Sequence, residues 1–535
     1  MEYSSFDYLY PSKRIVTYGN KGMVATSSQL AAQAGLDALK AGGNAIDAAV
    51  ATAACLTVTE PVANGIGGDL FSLVWYQGKL YGLNASGPAP RSLHAEDVRA
   101  KGYKEMPIYG WIPVTVPGAP KGWAQLNKRF GKRSLSDNLQ YAVSNARDGY
   151  AVSSVVSAAW QSAFTNYSAQ LKGEAFKGWF ETFAPKNKAP LPGEIFFLPD
   201  HADTLEAIGK TDAQDFYSGS IAERIDAFSK QTGGYIRQED LSSYEAQWVD
   251  PVSIRYRGYD VWEIPPNGHG IVALMALNIV RRFEFKERDH IDTYHRQIEA
   301  MKLAYADAFA YIADPSHMNV RTQDLLSESY GQKRSLLIED QAVVPRCGKP
   351  ATSGTVYLAT ADGDGNMVSL IQSNYKGFGS GIVIPGTGIA LHDRGSNFVL
   401  EENHPNCLAS GKRPYHTIIP GFLTKDNLPV GPFGVMGGFM QPQGHMQVIM
   451  NTVDFMLNPQ QALDAPRWRW TEGKKIEVEP GIPSRIAVQL AQKGHEVSVQ
   501  KDPGGFGRGQ IIWRTKEGSL CGGTEPRTDG AVVAW

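Results

Sequence analysis

The stretch that most constrains this chain is a strand, a tight turn and a second strand between residues 356 and 373. The first run is rich in β-forming residues, residues 362–366 (DGDGN) are typical of a turn, and residues 367–373 predict the returning strand. Thr355 lies nine residues before Asp364, and Ser373 lies nine residues after it. A hairpin folded about Asp364 sets the two hydroxyls opposite each other, with Cβ atoms about 4.5–5.5 Å apart. Thr is also an ordinary strand residue, so spacing alone leaves a structural role open.

Composition excludes several classes of function. With 535 residues, 42% of them hydrophobic, the chain can bury a large core. A net charge of −2 and a pI near 6.6 give no basic bias, so we expect no nucleic-acid partner. Residues 1–20 have neither the basic leader nor the apolar core of a signal peptide, and we find no transmembrane span. We therefore expect a cytoplasmic protein without a membrane partner.

We expect no cofactor and no metal site. Cys55, Cys347, Cys407 and Cys521 lack the spacing of a zinc site. Residues 61–69 are rich in glycine, but they match neither a GxGxxG turn that opens a helix nor a phosphate-binding loop. Residues 505–509, a second glycine-rich stretch, predict a hairpin loop.

The order of elements predicts a layered fold. Strand-rich segments alternate with helical blocks, which indicates sheets stacked between helix layers. Two Ala-rich helices between residues 26 and 57 predict close packing on a sheet. Residues 328–354 have the composition of a linker and give the best boundary in the chain.

Ordered motifs along nearly the whole chain resemble one family. They are GMVATSSQLAAQAGLDALKAGGNAIDAAVATAACLTVTEPVANGIGGDLF, GTVYLATADGDGN, FGSGIVIPGTGIAL, GKRPYHTIIP, the Gly437-Gly438 pair and ALDAPRW. The chain resembles the γ-glutamyltranspeptidase family of N-terminal-nucleophile hydrolases, which includes some cephalosporin acylases. The resemblance implies an α+β fold, a four-layer αββα sandwich.

The resemblance also implies chemistry at Thr355. Cleavage between Gly354 and Thr355 would give a large chain, residues 1–354, and a small chain of the remaining 181 of the 535 residues, 355–535. Both chains would complete one domain as a heterodimer, which could assemble further. Thr355 would then carry a free α-amine, of ordinary pKa about 7.7–8.0, beside the hydroxyl that it activates. Ser373 is the second catalytic hydroxyl, and the N–H groups of Gly437 and Gly438 are candidate oxyanion donors.

The substrate clamp departs from the family pattern. Asn84 stands where γ-glutamyl enzymes hold the donor carboxylate with Arg, and Asn397 stands where an acidic residue grips the donor amine. Arg394 replaces a Gln, and Tyr375 replaces an Asn.

His416-Thr417 replaces a pair of serines. A general-base role for His416 is conceivable, but an amine-activated Thr does not need one. Arg394 could instead pair with a carboxylate, since a guanidinium fork suits that shape, or it could form an ordinary ion pair.

Three hypotheses follow. The first is a self-processing hydrolase or acyltransferase that cleaves γ-glutamyl or related amide bonds through a Thr355 ester. The second is a cephalosporin acylase-like amidase for glutaryl-type acyl groups. The third is an unprocessed relative that only binds metabolites or a partner.

Overall fold

The computed structural model describes residues 13–345 and 355–535, and these contain nineteen strands and eighteen α-helices. The strands are β1 (Thr17–Gly19), β2 (Gly22–Thr26), β3 (Asp69–Tyr76), β4 (Lys79–Ala85), β5 (Tyr150–Ala151), β6 (Ile195–Phe196), β7 (Gln247–Val249), β8 (Val252–Tyr256), β9 (Tyr259–Glu263), β10 (Val356–Asp362), β11 (Met367–Ser373), β12 (Gly421–Lys425), β13 (Leu428–Met436), β14 (Trp468–Glu472), β15 (Lys475–Val478), β16 (Glu496–Val499), β17 (Arg508–Arg514), β18 (Leu520–Thr524) and β19 (Ala531–Ala534). The helices are α1 (Gln29–Lys40), α2 (Ala45–Thr59), α3 (Ala95–Ala100), α4 (Ala119–Phe130), α5 (Leu135–Asp148), α6 (Ser154–Gln170), α7 (Lys177–Phe183), α8 (Pro199–Lys210), α9 (Gln214–Ser218), α10 (Ser220–Gln231), α11 (Gln238–Ser242), α12 (Gly270–Val280), α13 (Ile291–Tyr311), α14 (Thr322–Leu326), α15 (Glu328–Ser335), α16 (Gln441–Val453), α17 (Pro459–Asp464) and α18 (Ser484–Gln492).

Two seven-stranded sheets form the centre of the molecule. Sheet A has the order β1-β18-β17-β13-β12-β9-β8, and sheet B has the order β19-β2-β10-β11-β3-β4-β7. Neighbouring strands in both sheets are antiparallel. The sheets stack face to face, with β10 and β11 against β13 and with β2 against β17 and β18.

A helix layer covers the outer face of each sheet. Helices α1, α2 and α4 pack on sheet B, and α12 and α16 pack on sheet A. All fifteen residues of α2 are buried, because its small apolar side chains face helices on one side and the sheet on the other. Large apolar side chains such as Phe71, Tyr357 and Phe422 fill the space between the sheets. The predicted four-layer αββα arrangement is confirmed.

The central hairpin has the predicted register. Strands β10 and β11 pair from Val356 opposite Gln372 to Ala361 opposite Met367, so the next position sets Thr355 opposite Ser373. The turn is held by Asp362, whose Oδ1 accepts a hydrogen bond of 2.9 Å from Asn366 N. The other carboxylate oxygen, Oδ2, accepts 2.9 Å hydrogen bonds from Ala45 N and from Asn366 Nδ2. The same side chain therefore closes the hairpin and caps the first turn of α2.

Two sequence predictions about connections were wrong. Residues 328–335 form helix α15 and are not part of a linker, because Arg281 and Arg334 tie this segment to α12 and α13. Residues 505–509 are not a hairpin loop: β16 pairs with β15 in a small third sheet, whereas β17 belongs to sheet A. Gly354 and Cys347 lie outside the described residues. Within residues 13–345 and 355–535, we find no helix that has both the length and the apolar character to cross a membrane.

Candidate active site

Thr355 stands at the start of β10, fully buried between the two sheets. Its Oγ1 lies 3.2 Å from Ser373 Oγ, so the predicted facing of the two hydroxyls is confirmed. Ser373 Oγ also accepts a 2.7 Å hydrogen bond from Tyr375 N. Tyr375 adopts a φ of 75°, and this left-handed conformation turns the chain back over the serine. The hairpin thus fixes both hydroxyls at one end of sheet B.

The second sheet brings a helix start to the same place. Gln441, the first residue of α16, extends its Nε2 to 3.5 Å from Thr355 Oγ1, and its Oε1 accepts a 3.0 Å bond from Ile419 N. Gly437 and Gly438 lie between β13 and this helix, with φ values of 133° and 58°. Those angles favour glycine, and the absence of Cβ atoms lets another group approach the backbone closely. The positive end of the α16 dipole adds to the attraction for an anion here.

Arg394 lies under Tyr375 and is fully buried. Its guanidinium carbon lies 4.2 Å from the centre of the Tyr375 ring, and its Nη1 donates a 2.6 Å hydrogen bond to Thr417 Oγ1. Within the described part of the chain, Nε and Nη2 of Arg394 have no hydrogen-bond partner. A buried guanidinium with two unused donors is costly unless an anion pairs with it.

Asp69 supplies negative charge next to Arg394. Its Oδ2 lies 3.9 Å from Arg394 Nε and accepts a 2.9 Å hydrogen bond from His416 Nε2. Burial raises the pKa of Asp69 to about 7, and the positive charge of Arg394 opposes that rise. The carboxyl group can therefore gain or lose a proton near neutral pH.

Both histidines beside Asp69 are neutral. Burial lowers the pKa of His416 well below its ordinary value, and the charge of Arg394 lowers it further. Burial and Arg394 likewise bring the pKa of His392 to about 3. Because His416 hydrogen-bonds Asp69 and packs against Phe71 in a tilted arrangement, with ring centres 4.6 Å apart, its geometry matches a structural or substrate-contact role.

Two of the predicted substrate-binding residues, Asn84 and Asn397, are connected to the site through other residues. Asn84 uses both ends of its amide: Nδ2 donates 2.9 Å to Asn267 Oδ1, and Oδ1 accepts 2.7 Å from Ser86 Oγ. Asn267 in turn accepts a 2.9 Å backbone bond from His416 N, so Asn84 reaches the site through one intermediate. Asn397 closes a short 3₁₀ turn after Arg394, and a hydrogen bond between its side chain and the Tyr375 hydroxyl opposes the rise in the Tyr375 pKa that burial causes.

Sequence reasoning missed Asp69, Gln441 and His392. Asp69 pairs opposite Ser373 across β3 and β11, and no local pattern predicts that pairing. Gln441 depends on how the two sheets stack. The signal that was available is the GGDLF end of the first family motif, which contains Asp69.

One group of potential metal ligands lies among the described residues, outside this site. Ligand atoms of His295, Glu299 and His495 lie within 4.8 Å of one another. Lys302 Nζ already donates 2.6 Å to Glu299 Oε1, so a buried ammonium supplies the positive charge there.

Comparisons with known proteins find relatives along nearly the whole chain. The sequence profile of gamma-glutamyltranspeptidase matches residues 31–535. A crystal structure of cephalosporin acylase from Bacillus halodurans superposes with a TM-score of 0.98 at 58% identity, covering 100% of this chain and 99% of that one. The glutathione hydrolase-like YwrD proenzyme of Bacillus subtilis (strain 168) is 37% identical over 528 residues, 96% of this chain and 98% of that protein.

A third relative, the oxamate amidohydrolase proenzyme of Klebsiella pneumoniae, is 32% identical over 527 residues, 96% of this chain and 98% of that protein. The family profile and these relatives span nearly the whole chain, and the fold is the one that the resemblance implied. The chain belongs to the γ-glutamyltranspeptidase family.

Proposed function

We propose that this protein is a self-processing amide hydrolase or acyltransferase in which Thr355 is the amino-terminal nucleophile. The observation that carries the proposal is the buried Thr355 Oγ1, 3.2 Å from Ser373 Oγ, with Gln441 Nε2 at 3.5 Å. The proenzyme names of the relatives support processing of the chain, and we place the cleaved bond before Thr355.

Self-cleavage and catalysis use the same atoms. Oγ1 of Thr355 attacks the Gly354 carbonyl, the peptide C–N bond breaks, and water hydrolyses the resulting ester. The freed amine then serves as the base. It takes the Oγ1 proton as Oγ1 attacks a substrate amide, and it passes that proton to the leaving amine. Water or a second amine attacks the acyl ester, gives its proton to the amine, and regenerates the hydroxyl.

Two groups assist these steps from fixed positions. Ser373 Oγ orients Thr355 Oγ1, since it is itself held by Tyr375 N. The N–H groups of Gly437 and Gly438 stabilise the oxyanion, a contribution of about 2.7–4 kcal/mol for each donor in comparable sites.

We infer that the preferred acyl group carries a carboxylate. The unused Nε and Nη2 donors of Arg394 offer a bidentate edge to such a group. One relative is named for oxamate, which is itself a carboxylate. Asn397, a neutral side chain where the family places an acid, weakens recognition of an ammonium group beside that carboxylate. These features favour a glutaryl-type acyl amide.

A γ-glutamyl donor is the second candidate. The glutathione hydrolase-like relative at 37% identity favours it, and the γ-glutamyl group also bears a carboxylate. The two candidates differ in the ammonium group next to that carboxylate.

A panel of matched anilides tests the proposal. Glutaryl, γ-glutamyl and uncharged valeryl anilides are compared by kcat/KM, with and without an amine acceptor. We expect glutaryl to exceed valeryl, and Thr355→Ala to be inactive on all three. Detection of an acylated Thr355 peptide by mass spectrometry would exclude the hypothesis that the protein only binds its ligands. Equal turnover of glutaryl and valeryl anilides would contradict the carboxylate preference.

A further inference from the structure

We propose that Gly507 and Arg467 are positioning residues for the Gly437-Gly438 turn. The inference rests on the proposed function, because it assigns these residues to the turn that stabilises the oxyanion. Both residues would act on the turn through the backbone behind it.

The first step is the ladder between β13 and β17. Val435 pairs with Gly509 and Met436 pairs with Arg508, so the following pair is Gly437 with Gly507. A Cβ on Gly437 would lie 3.1 Å from Gly507 Cα. A Cβ on Gly507, whose φ is 75°, would lie 2.6 Å from Met436 O. The backbone of Gly507 therefore packs directly against Met436 and Gly437, and a side chain on Gly507 would push against the carbonyl group just before the turn.

The second step is what holds Gly507. Arg467 is buried, and its Nη1 donates 3.0 Å hydrogen bonds to both Phe506 O and Gly507 O. Its Nη2 donates 2.8 Å to Glu525 Oε2, which also accepts a 2.7 Å bond from Gly509 N. The backbone is thus fixed on both sides of Gly507 by one guanidinium and one carboxylate.

The third step concerns the residues that support the Arg467–Glu525 ion pair. Arg527 contacts Glu525 and Glu479, and Glu479 Oε2 accepts a 2.6 Å hydrogen bond from Arg467 N. Burial acts to raise the pKa of Glu525, but Arg467 and Arg527 together hold it below its ordinary value. Two cations and two carboxylates balance within this buried network, so none of the four groups lacks a partner of opposite charge.

We infer that this network determines the direction of the Gly437 and Gly438 N–H groups, the proposed oxyanion donors. If the backbone at 506–507 shifts, Gly437 can follow it, and its N–H no longer points at the developing charge. Misplacement by about 1 Å costs on the order of 100-fold in rate. Because the donors act most strongly on the transition state, the loss should fall on kcat and spare KM.

Three variants test the contact between Gly507 and the Gly437-Gly438 turn. Gly507→Ala keeps the ion network and forces a Cβ towards Met436 O. The double variant Arg467→Met with Glu525→Gln removes the brace without leaving an unpaired buried charge. Arg467→Lys is the mildest change, since it keeps the charge but cannot reach both carbonyls, and it carries the test if the other two do not fold.

Arg469→Met is the matched control. Arg469 lies two residues beyond Arg467, is partly exposed, and donates 2.8 Å to Gly505 O, before the contact with Gly437 begins. We expect kcat and KM of this variant to stay within about twofold of wild type.

The measurements are kcat, KM and the extent of self-cleavage for each folded variant, judged by its thermal unfolding. We expect kcat to fall about 100-fold at nearly constant KM in Gly507→Ala and in the double variant, and to fall less in Arg467→Lys. Wild-type kcat in a folded, cleaved Gly507→Ala or Arg467 variant would overturn the inference, as would an equal loss in Arg469→Met. An inactive, uncleaved wild-type protein would instead refute the proposed function.

Discussion

At the residue scale, Arg394 lies between Tyr375, in the proposed substrate clamp, and Asp69. It stacks under Tyr375, donates to Thr417 and lies 3.9 Å from Asp69 Oδ2. In the sequence, Arg394 and Asn397 stand out only as departures from a family pattern. Its burial, and two guanidinium donors without hydrogen-bond partners among the described residues, favour binding of an anion by Arg394.

Arg394→Met should reduce kcat/KM for a glutaryl anilide by about 10- to 100-fold, since charge-assisted hydrogen bonds contribute about 1.5–3 kcal/mol. The uncharged valeryl anilide is the internal control and should change by less than about twofold. Steady-state kinetics on both substrates checks this. Equal losses on the two anilides would mean that Arg394 serves only the structure.

The pKa of Asp69, raised to about 7 by burial, predicts a pH dependence. Below pH 7 the carboxyl is protonated and leaves Arg394 free to pair with the substrate; above pH 7 its charge competes. KM for the glutaryl anilide should therefore rise about fivefold between pH 6 and 8. This value takes the unfavourable coupling between an ionised Asp69 and the bound substrate as about 1.4 kcal/mol. Burial also raises the pKa of Asp393, a second carboxyl that interacts with Arg394, to about 7. Asp69→Asn should therefore reduce the pH dependence, and an unchanged profile in that variant would contradict the assignment.

The same shift has a defined effect on stability. The folded state keeps its Asp69 proton up to about pH 7, whereas the unfolded chain loses it near pH 4. The contribution of this group to stability is therefore greatest below pH 4 and declines as pH rises from about 4 to 7.

At the element scale, the central hairpin organises the site because its turn is tied to α2. Asp362 accepts from Asn366 N and Ala45 N, and Thr360 Oγ1 donates 2.7 Å to Ala45 O. These bonds fix the far end of the hairpin, and the ladder transmits the register to Thr355 and Ser373.

Asp362→Ala should lower the free energy of unfolding by about 2 kcal/mol or more, because it leaves buried N–H donors of the turn and of α2 unpaired. Asp364→Ala is the matched control in the same turn. Asp364 is exposed and pairs with exposed Lys132 at 3.1 Å, so its loss should change stability by less than about 0.5 kcal/mol. Urea unfolding of both variants in a Thr355→Ala background makes the comparison on uncleaved chains; similar losses would contradict the predicted role of Asp362.

Local signals explain which elements could be predicted. The turn composition fixed the register of β10 and β11, so Thr355 and Ser373 could be paired from the sequence. Asp69 faces Ser373 only because β3 pairs with β11, and Gln441 meets Thr355 only because the sheets stack. Such contacts depend on strand order over long sequence separations. The prediction of a hairpin loop at residues 505–509 was wrong for the same reason, because the strands on either side of it belong to different sheets.

At the scale of the whole molecule, the two proposed chains interleave. In sheet B, β2 from residues 1–354 lies between β19 and β10 from residues 355–535. In sheet A, β9 of the first segment pairs with β12 of the second. Separation of the chains would therefore break both sheets and expose the core between them.

The cleaved chains should co-elute as one particle in native gel filtration and separate only under denaturing conditions. Chain dissociation, followed by crosslinking across a urea series, should coincide with the loss of near-UV circular dichroism. Free small chain in the absence of denaturant would contradict this interleaved assembly.

The central claim is tested most directly by the intact masses and amino-terminal sequence of the purified protein over time. The account predicts two chains, one beginning at Thr355, that appear in wild type but not in Thr355→Ala. A single uncleaved chain of about 58 kDa that still turns over acyl amides would contradict it, as would cleavage at any bond other than Gly354–Thr355.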